Sequence, residues 1–167
     1  MDGRRIWDAV QLALQSRAPL FRQIVEQHVT YGALTLRRPR REQGAFQAAV
    51  TNAYGRRCAI TGESTLPVLE AAHIKAVAAG GLHNTFNGLL LRSDVHKLFD
   101  AGLVTITPEH RVLVSSRIKE QWFNGKAYNR LHGEQLACLP SATEDHPRVD
   151  VIRWHSDNVF ERGLHSA

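Results

Sequence analysis

The sequence predicts an α+β fold with one main domain and an added N-terminal element. Three observations favour it in this 167-residue chain. Apolar residues recur at helical spacing before residue 58, short β-compatible runs between Gly- and Asn-rich turns fill the middle, and helical spacing returns near the C-terminus. This order of helices and short strands is typical of a mixed fold with small antiparallel sheets.

The N-terminal third predicts three helices. Residues 4–16 and 20–28 carry apolar side chains on one face, and we expect residues 1–36 to be a helical appendage for packing or oligomerisation. The basic run "RRPRR" predicts a junction, because proline and clustered like charge both oppose helix formation. A third helix is expected over residues 42–54. Its apolar stripe is Phe46, Val50 and Tyr54.

The middle of the chain predicts strand, loop, strand and helix. "CAITG" and "LPVLEAAHI" are β-compatible runs separated by a turn composition, "AAGGLHNTFNG" predicts a loop, and "LLL" predicts a short strand. The helix "RSDVHKLFDAG" is expected to begin with Ser93 or Asp94 as its N-cap and to stop at Gly102.

The C-terminal third predicts a hairpin and three helices. "LVTIT" and "RVLVS" are joined by "PEH", which indicates a β-hairpin. "SRIKEQWF" and "KAYNRLHG" predict short helices. A closing helix in "PRVDVIRWHSDNVFERG" aligns Ile152, His155 and Val159.

Charge favours a polyanionic partner. The net charge is +5, and between residues 37 and 57 six arginines accompany one acid, Glu42. The arginines are Arg37, Arg38, Arg40, Arg41, Arg56 and Arg57. Guanidinium groups bind phosphate oxygens bidentately, so this run predicts a phosphate-binding strip on double-stranded DNA; a solvated linker is the alternative.

Two cysteines far apart exclude a CxxC zinc ribbon and make a disulfide framework improbable. No secretory signal or membrane-spanning run is evident. We therefore expect a cytoplasmic protein with reduced thiols and no membrane partner.

Three histidines and two asparagines fall within Leu69–Gly102. The segments "EAAHI", "FNGLLL" and "SDVHKLFD" place His73, Asn87 and His96 in an order that resembles the signature of HNH endonucleases. The flanking "QGAFQAAVTNAYGRRCAITGE" and "YNRLHGEQLACLP" also look like the HNH domain of bacterial restriction endonucleases, some joined to readers of modified cytosine. The resemblance covers roughly residues 37–162. It implies a ββα-metal (His-Me finger) core with flanking helices and a hairpin, over a domain at 37–167, in a bacterial cytoplasm.

The resemblance assigns a role to each of the three residues. His73 would be the general base, because a neutral imidazole with an ordinary pKa near 6.5 can take a proton from water. On that pKa, activity is expected to rise between about pH 6 and 7.5. Asn87 would brace the loop, and His96 would bind one divalent metal, Mg²⁺ or Mn²⁺, with Ni²⁺ and Zn²⁺ left open. The implied reaction is DNA hydrolysis, by nicking or double-strand cleavage, in restriction or defence.

The second metal ligand is left open. Many HNH enzymes have an acid or histidine just before the base, where this chain has Ala72. Asp94, two residues before His96, ranks first because it resembles an acidic residue in the "RSDxN" segment of RNA-guided CRISPR nucleases, which share this finger. Asp100 ranks second, because it lies one helical turn after His96 on the same face. Glu70 ranks last, because strand alternation points it to the face opposite His73. A single protein ligand with waters is a further alternative.

Each of these residues also has a purely structural interpretation. Without the motif, His73 would be interpreted as a hydrogen-bonded core histidine. Asn87–Gly88 is also a hairpin-turn signal. His83 is expected to be an exposed loop residue without a family role. The rival functions are a nucleic-acid-binding module that retains the finger without catalysis, favoured by Ala72, and an oligomerising scaffold built on residues 1–36. A homodimer or a separate specificity subunit, and the DNA that is recognised, stay open.

Overall fold

A two-stranded antiparallel sheet followed directly by a helix is the part of the fold that carries the motif residues. The computed structural model describes residues 39–163, with side chains from residue 42 onward. The helices are α1 (Pro39–Ala53), α2 (Ser93–Asp100), α3 (Arg117–Trp122), α4 (Lys126–Asn129) and α5 (Val149–Asn158). The strands are β1 (Leu69–His73), β2 (Gly88–Arg92), β3 (Val104–Ile106) and β4 (Val112–Val114). The predicted appendage at 1–36, Arg37 and Arg38 lie outside the described residues.

Helix α1 begins earlier than the sequence predicted. Its first residue is Pro39, so Arg40 and Arg41 lie within the helix and not in a junction. Proline is favoured in a first turn because its missing N–H would have no helical partner there and its φ is already helical. The predicted stripe is confirmed, since Phe46, Val50 and Tyr54 are buried.

Strands β1 and β2 pair in an antiparallel register that runs from Leu69 opposite Arg92 to His73 opposite Gly88. Helix α1 packs on this pair with a close approach at Gly88, where a Cβ atom would lie 2.5 Å from Val50 Cγ2. Only glycine therefore fits there, and the buried stripe of α1 lies directly against the strand pair.

The strand predicted at "CAITG" is wrong. Residues 58–63 form a closed turn, in which Cys58 N donates to Glu63 O at 2.8 Å and Gly62 N donates to Cys58 O at 2.9 Å. Two bonds tie this turn to β2: Ala59 N donates to Leu90 O at 2.7 Å, and Arg92 N donates to Cys58 Sγ at 3.3 Å. The apolar residues of the turn are buried by packing under β2 and not by joining the sheet.

The predicted helix after β2 is confirmed, but its cap is not. Arg92 occupies the N-cap position and makes no side-chain cap bond. The hydroxyl of Ser93, predicted as a cap, donates instead to Val68 O at 3.1 Å. Helix α2 ends at Asp100, two residues before the predicted stop at Gly102.

The predicted types of the C-terminal elements, a hairpin and three helices, are confirmed. Strands β3 and β4 form an antiparallel hairpin, α3 and α4 are short helices, and α5 closes the described chain with Val151, Ile152 and His155 buried. Val159 lies just beyond the end of α5. The described residues thus mix helices with two small antiparallel sheets, as the α+β prediction required. Within residues 39–163, no helix is long and apolar enough to cross a membrane.

Candidate active site

A cleft of about 470 Å³ opens where β1 ends and α2 passes beside it. Its walls include His73 from β1, His83 from the loop that follows, and His96 and Asp100 from α2. Gln43, at the start of the second turn of α1, lines another side. The structure therefore brings together two of the three motif residues and adds His83, which the sequence left without a role.

His73 is the last residue of β1 and is half-buried. Its ring stacks on Phe46 with centroids 3.8 Å apart and planes 11° apart, and its Nε2 lies 3.2 Å from His83 Nδ1. Burial is the largest cause that lowers the pKa of His73 to about 4, and repulsion from the neighbouring His83 and His96 contributes the rest. His73 is therefore neutral and able to accept a proton well below the pH window expected from an unperturbed imidazole.

Asn87, the last residue before β2, is fully buried. Its Oδ1 accepts from Lys75 N at 2.8 Å, while its Nδ2 donates to Lys75 O at 3.0 Å and to Leu82 O at 2.9 Å. These bonds hold both ends of the loop that carries His83 past His73. The hairpin-turn reading of Asn87–Gly88 is wrong, because Asn87 ends a 3₁₀ turn and Gly88 opens β2.

The loop that carries His83 also requires glycine at position 81. A Cβ atom at this position would lie 1.9 Å from Lys75 O and 2.9 Å from Asn87 Nδ2. The backbone at Gly81 therefore lies too close to Lys75 and Asn87 for any residue with a Cβ atom. The position of His83 depends on this packing together with the Asn87 bonds.

His96 in α2 has a carboxylate at each ring nitrogen. Nδ1 lies 2.6 Å from Glu70 Oε2, and Nε2 lies 3.3 Å from Asp100 Oδ2. Glu70 reaches His96 from β1, although strand alternation had ranked it last among the candidate acids. When His96 is neutral, a proton on Nδ1 donates to Glu70, so the lone pair of Nε2 faces the Asp100 carboxylate.

Two electron-pair donors facing each other at this separation fit a bound cation. Ligand atoms about 2.1 Å from one ion lie roughly 3.0 Å apart in octahedral geometry and about 3.4 Å apart in tetrahedral geometry. The Nε2–Oδ2 separation of 3.3 Å falls between these values. A histidine whose other nitrogen donates to a carboxylate is also the usual state of a metal-binding histidine. Within residues 39–163, no group of three or more His, Cys, Asp or Glu side chains is arranged to hold a metal.

Asp94, the first-ranked metal ligand from the sequence, does not line this cleft. Arg92 donates to both of its oxygens, at 2.6 and 2.8 Å, and Tyr128 Oη donates to Oδ2 at 3.0 Å. The hydrogen bonds from Arg92 are the main reason that the pKa of Asp94 falls to about 2. Asp94 therefore joins α2 to the end of β2 through the ion pair with Arg92 and to α4 through Tyr128.

The described arginines of the predicted strip fall into two groups. Arg40 and Arg41 lie in the first turn of α1, just before the cleft residue Gln43. Arg56 and Arg57 are exposed in the turn after the helix. A helix of 15 residues is about 22 Å long, so the two groups lie at opposite ends of α1.

Comparison with known proteins bears on this arrangement. Residues 58–107 match the family model described as HNH endonuclease, and they contain His73, Asn87 and His96. This segment is an HNH endonuclease domain. The mixture of helices and small sheets in the described residues is compatible with an HNH fold.

Among curated proteins, none matches the chain. Among solved structures, the chain is similar to a modification-dependent TagI restriction endonuclease, with 21% identity and a TM-score of 0.49. The match covers 73% of this chain and 40% of that one, so the chain spans well under half of that protein.

Sequence reasoning missed three contacts of the site. They are the stack of Phe46 on His73, the bond between the His83 and His73 rings, and the bond from Glu70 to His96. The unusual density of histidines in the motif segment was a signal for His83. The other two contacts join residues 26 or 27 positions apart in sequence, and their spacing carries no signal.

Proposed function

We propose that this chain is a metal-dependent DNA endonuclease that hydrolyses phosphodiester bonds, in one strand or both, in a restriction or defence role. The observation that carries the proposal is a neutral, half-buried His73 in the same cleft as the facing His96 and Asp100. His73 can accept a proton, and the His96–Asp100 pair can accommodate a cation. These are the two requirements of phosphodiester hydrolysis. A cytoplasmic bacterial location stays a prediction.

His73 supplies the base in this proposal. Within residues 39–163, no group is hydrogen-bonded to its Nδ1, because its one side-chain bond uses Nε2. Water placed at Nδ1 loses a proton to that nitrogen as its oxygen bonds to phosphorus and the bond to the 3′ oxygen breaks. The leaving 3′ oxygen takes up a proton from solvent water, so the products are a 5′-phosphate and a 3′-hydroxyl end, the outcome that the family resemblance implies. A divalent metal stabilises the added negative charge and the leaving oxygen when it is bound.

His96 Nε2 and Asp100 are the proposed protein ligands, with water completing the coordination. Glu70 orients the His96 ring through Nδ1 and leaves Nε2 free to bind the metal. Asp94 becomes the alternative, because its oxygens already accept bonds from Arg92 and Tyr128. Oxygen and imidazole donors suit Mg²⁺ or Mn²⁺, and Ni²⁺ or Zn²⁺ stay open as alternatives.

The choice between Asp100 and Asp94 is tested by a matched pair of substitutions. We expect Asp100→Asn to weaken Mn²⁺ binding by about 10-fold or more in calorimetric titration, and Asp94→Asn to leave it nearly unchanged. Asp94→Asn should instead lower the free energy of unfolding, because the ion pair with Arg92 is lost. The reverse pattern of Mn²⁺ affinities would restore Asp94 as the ligand.

Double-stranded DNA is the proposed partner, and the arginines are its proposed phosphate contacts. Arg40 and Arg41 lie at the cleft end of α1, so their loss should weaken DNA binding and cleavage together. Arg56 and Arg57 lie at the far end and should affect binding alone. Each lost phosphate contact should reduce the slope of log K against log salt by about 0.9. An unchanged slope in either double alanine variant would make that pair a solvated surface.

The deciding experiment is cleavage of supercoiled plasmid, methylated and unmethylated, with Mg²⁺, Mn²⁺ or EDTA. We expect cleavage with either metal and none with EDTA. His110→Asn is a control variant that should cleave as the parent does. The ring of His110 faces His146 and does not line the cleft, and Asn tolerates the φ of +59° at this position. DNA binding without metal-dependent cleavage would favour the rival, a binding module, for which Ala72 in place of an acid is the supporting observation.

A further inference from the structure

His83 is the residue of the cleft to which neither the sequence motif nor the proposed reaction gives a role. It lies in the loop between β1 and β2, is exposed, and directs Nδ1 at His73 Nε2 across 3.2 Å. The two rings are nearly perpendicular, at 77°, with centroids 5.0 Å apart. This geometry lets one nitrogen donate to the other in the plane of each ring.

The direction of that bond decides which nitrogen of His73 can act as a base. A neutral imidazole has one N–H and one lone pair. If His73 Nε2 carries the proton, it donates to His83 and leaves the lone pair of Nδ1 free. If His83 donates instead, His73 carries its proton on Nδ1, and its lone pair is occupied by the bond. Only the first arrangement leaves a proton-accepting nitrogen open to water.

We propose that His83 is a positioning residue for the general base: its Nδ1 accepts from His73 Nε2–H and thereby holds His73 in the tautomer whose Nδ1 lone pair faces the reacting water. The inference rests on the proposed function and deepens it. Proton transfer then adds a proton at Nδ1 while the bond at Nε2 persists. The ring of His73 keeps one orientation throughout, between Phe46 on its face and His83 at its edge.

The loop is built to hold this acceptor in place. Leu82, directly before His83, has its carbonyl fixed by Asn87 Nδ2 at 2.9 Å. Directly after His83, Asn84 Oδ1 accepts from Phe86 N at 3.3 Å. Hydrogen bonds between asparagine side chains and the backbone, on both sides of His83, thus limit the movement of a side chain that is itself exposed. The brace at Asn87 and the tautomer of His73 are in this way connected through His83.

The test compares two substitutions that differ in one atom type. His83→Asn keeps an acceptor, because Asn Oδ1 branches from Cγ as Nδ1 does, whereas His83→Leu has similar bulk and no acceptor. Leu82→Asn is the control, since this neighbouring side chain is 63% exposed and only its backbone carbonyl is used. Long-range ¹H–¹⁵N NMR spectra of the metal-free chain report the tautomer of His73, and single-turnover cleavage reports catalysis.

We expect the parent, Leu82→Asn and His83→Asn to show the Nε2–H tautomer and cleavage within about 3-fold of one another. His83→Leu should show a mixture of tautomers and a cleavage rate about 10- to 100-fold lower, with Mn²⁺ affinity unchanged. An unaltered tautomer in His83→Leu, or equal loss in His83→Asn and His83→Leu, would overturn the proposal. The NMR result is independent of cleavage, so it decides the role of His83 even if the parent cuts no DNA.

Discussion

Two histidines in different parts of the molecule have the same surroundings in two respects. His73 stacks on Phe46 and His155 on Phe99, each with ring centroids 3.8 Å apart and nearly parallel planes. Burial is the largest cause that lowers the pKa of each to about 4. By ring stacking and pKa alone, the cleft and the core near α5 could not be told apart.

Hydrogen bonding separates them. His155 is 3% exposed, its Nδ1 lies 2.8 Å from Thr105 Oγ1, and its Nε2 lies 3.2 Å from Phe99 O. Both nitrogens are thus used by the fold. His73 uses only Nε2, and it lies in an open cleft. A lowered pKa indicates burial, and an unused nitrogen beside a cleft is the observation that indicates chemistry.

The largest expected effect is on cleavage by His73→Ala. Removal of the proposed base should lower the single-turnover rate by about 10²–10⁴-fold. Stability should fall by only about 1 kcal/mol, because the ring is half-exposed and loses one stack and one bond. A plasmid nicking assay and thermal unfolding of the same preparation give both numbers. Cleavage at the parent rate would place the base elsewhere and remove the distinction drawn between the two histidines.

His155→Ala should show the opposite pattern. The free energy of unfolding should fall by about 3 kcal/mol, because a buried stacked ring and two internal hydrogen bonds are lost. Urea unfolding measures the loss, and cleavage per folded molecule should change far less than in His73→Ala. A variant as stable as the parent would show that the two bonds of His155 contribute nothing net to the fold.

The pH dependence of stability follows from the lowered pKa of His155. The folded state binds this proton less readily than the unfolded state, so stability is fully present above about pH 6.5 and falls as pH drops toward 4. The expected loss from this residue is about 2 kcal/mol between pH 7 and 5. Urea unfolding of the parent and of His155→Gln over this range isolates it. Equal pH dependence in both proteins would exclude His155 as the cause.

Cleavage should depend on pH differently. With a base of pKa near 4 in the DNA-free chain, kcat/KM should already be on its plateau above about pH 5, unless metal binding limits the rate. Rates at saturating Mn²⁺ and low DNA concentration test this. A midpoint near pH 6.5 would mean that His73 is solvated as an ordinary imidazole.

The smallest expected effect is that of Thr105→Val. It removes the hydroxyl that faces His155 Nδ1 and should cost about 1 kcal/mol of stability. Thr51→Val, at a partly exposed position in α1, is the control. In the double variant with His155→Ala the two losses should not add, because both remove the same bond. Full additivity would mean that the hydroxyl and the ring act independently.

The sequence predicted those parts of the fold that depend on local pattern. The stripe of α1, the β3–β4 hairpin and the buried face of α5 all follow from periodic apolar residues. The "CAITG" run failed because its apolar residues are buried by a closed turn, and β propensity cannot distinguish the two. The start of α1 failed because clustered arginines outweighed the favourable place of Pro39 in a first turn.

The sequence predicted those site residues that belong to one short motif. His73, Asn87 and His96 lie in one short segment, and two of them meet in the cleft. The partners of the histidines were not predicted. Asp94 was ranked first by a family resemblance and Asp100 second by its helical spacing from His96. The bonds that Arg92 and Tyr128 make to Asp94 reverse this order. Such competition depends on α4, more than 30 residues later in the chain.

The buried amide of Asn87 also bears on how the protein ages. An asparagine followed by glycine is the pair most prone to spontaneous deamidation, in which the next backbone nitrogen attacks the side-chain carbonyl carbon and expels ammonia. Here the Gly88 N–H is bonded to Thr85 O, and the Asn87 amide is held by three bonds. Neither group can reach the attacking geometry while the loop is folded. Chemical damage at this position should therefore accumulate only in unfolded molecules, where a carboxylate formed at residue 87 would no longer donate to the Lys75 and Leu82 carbonyls on refolding.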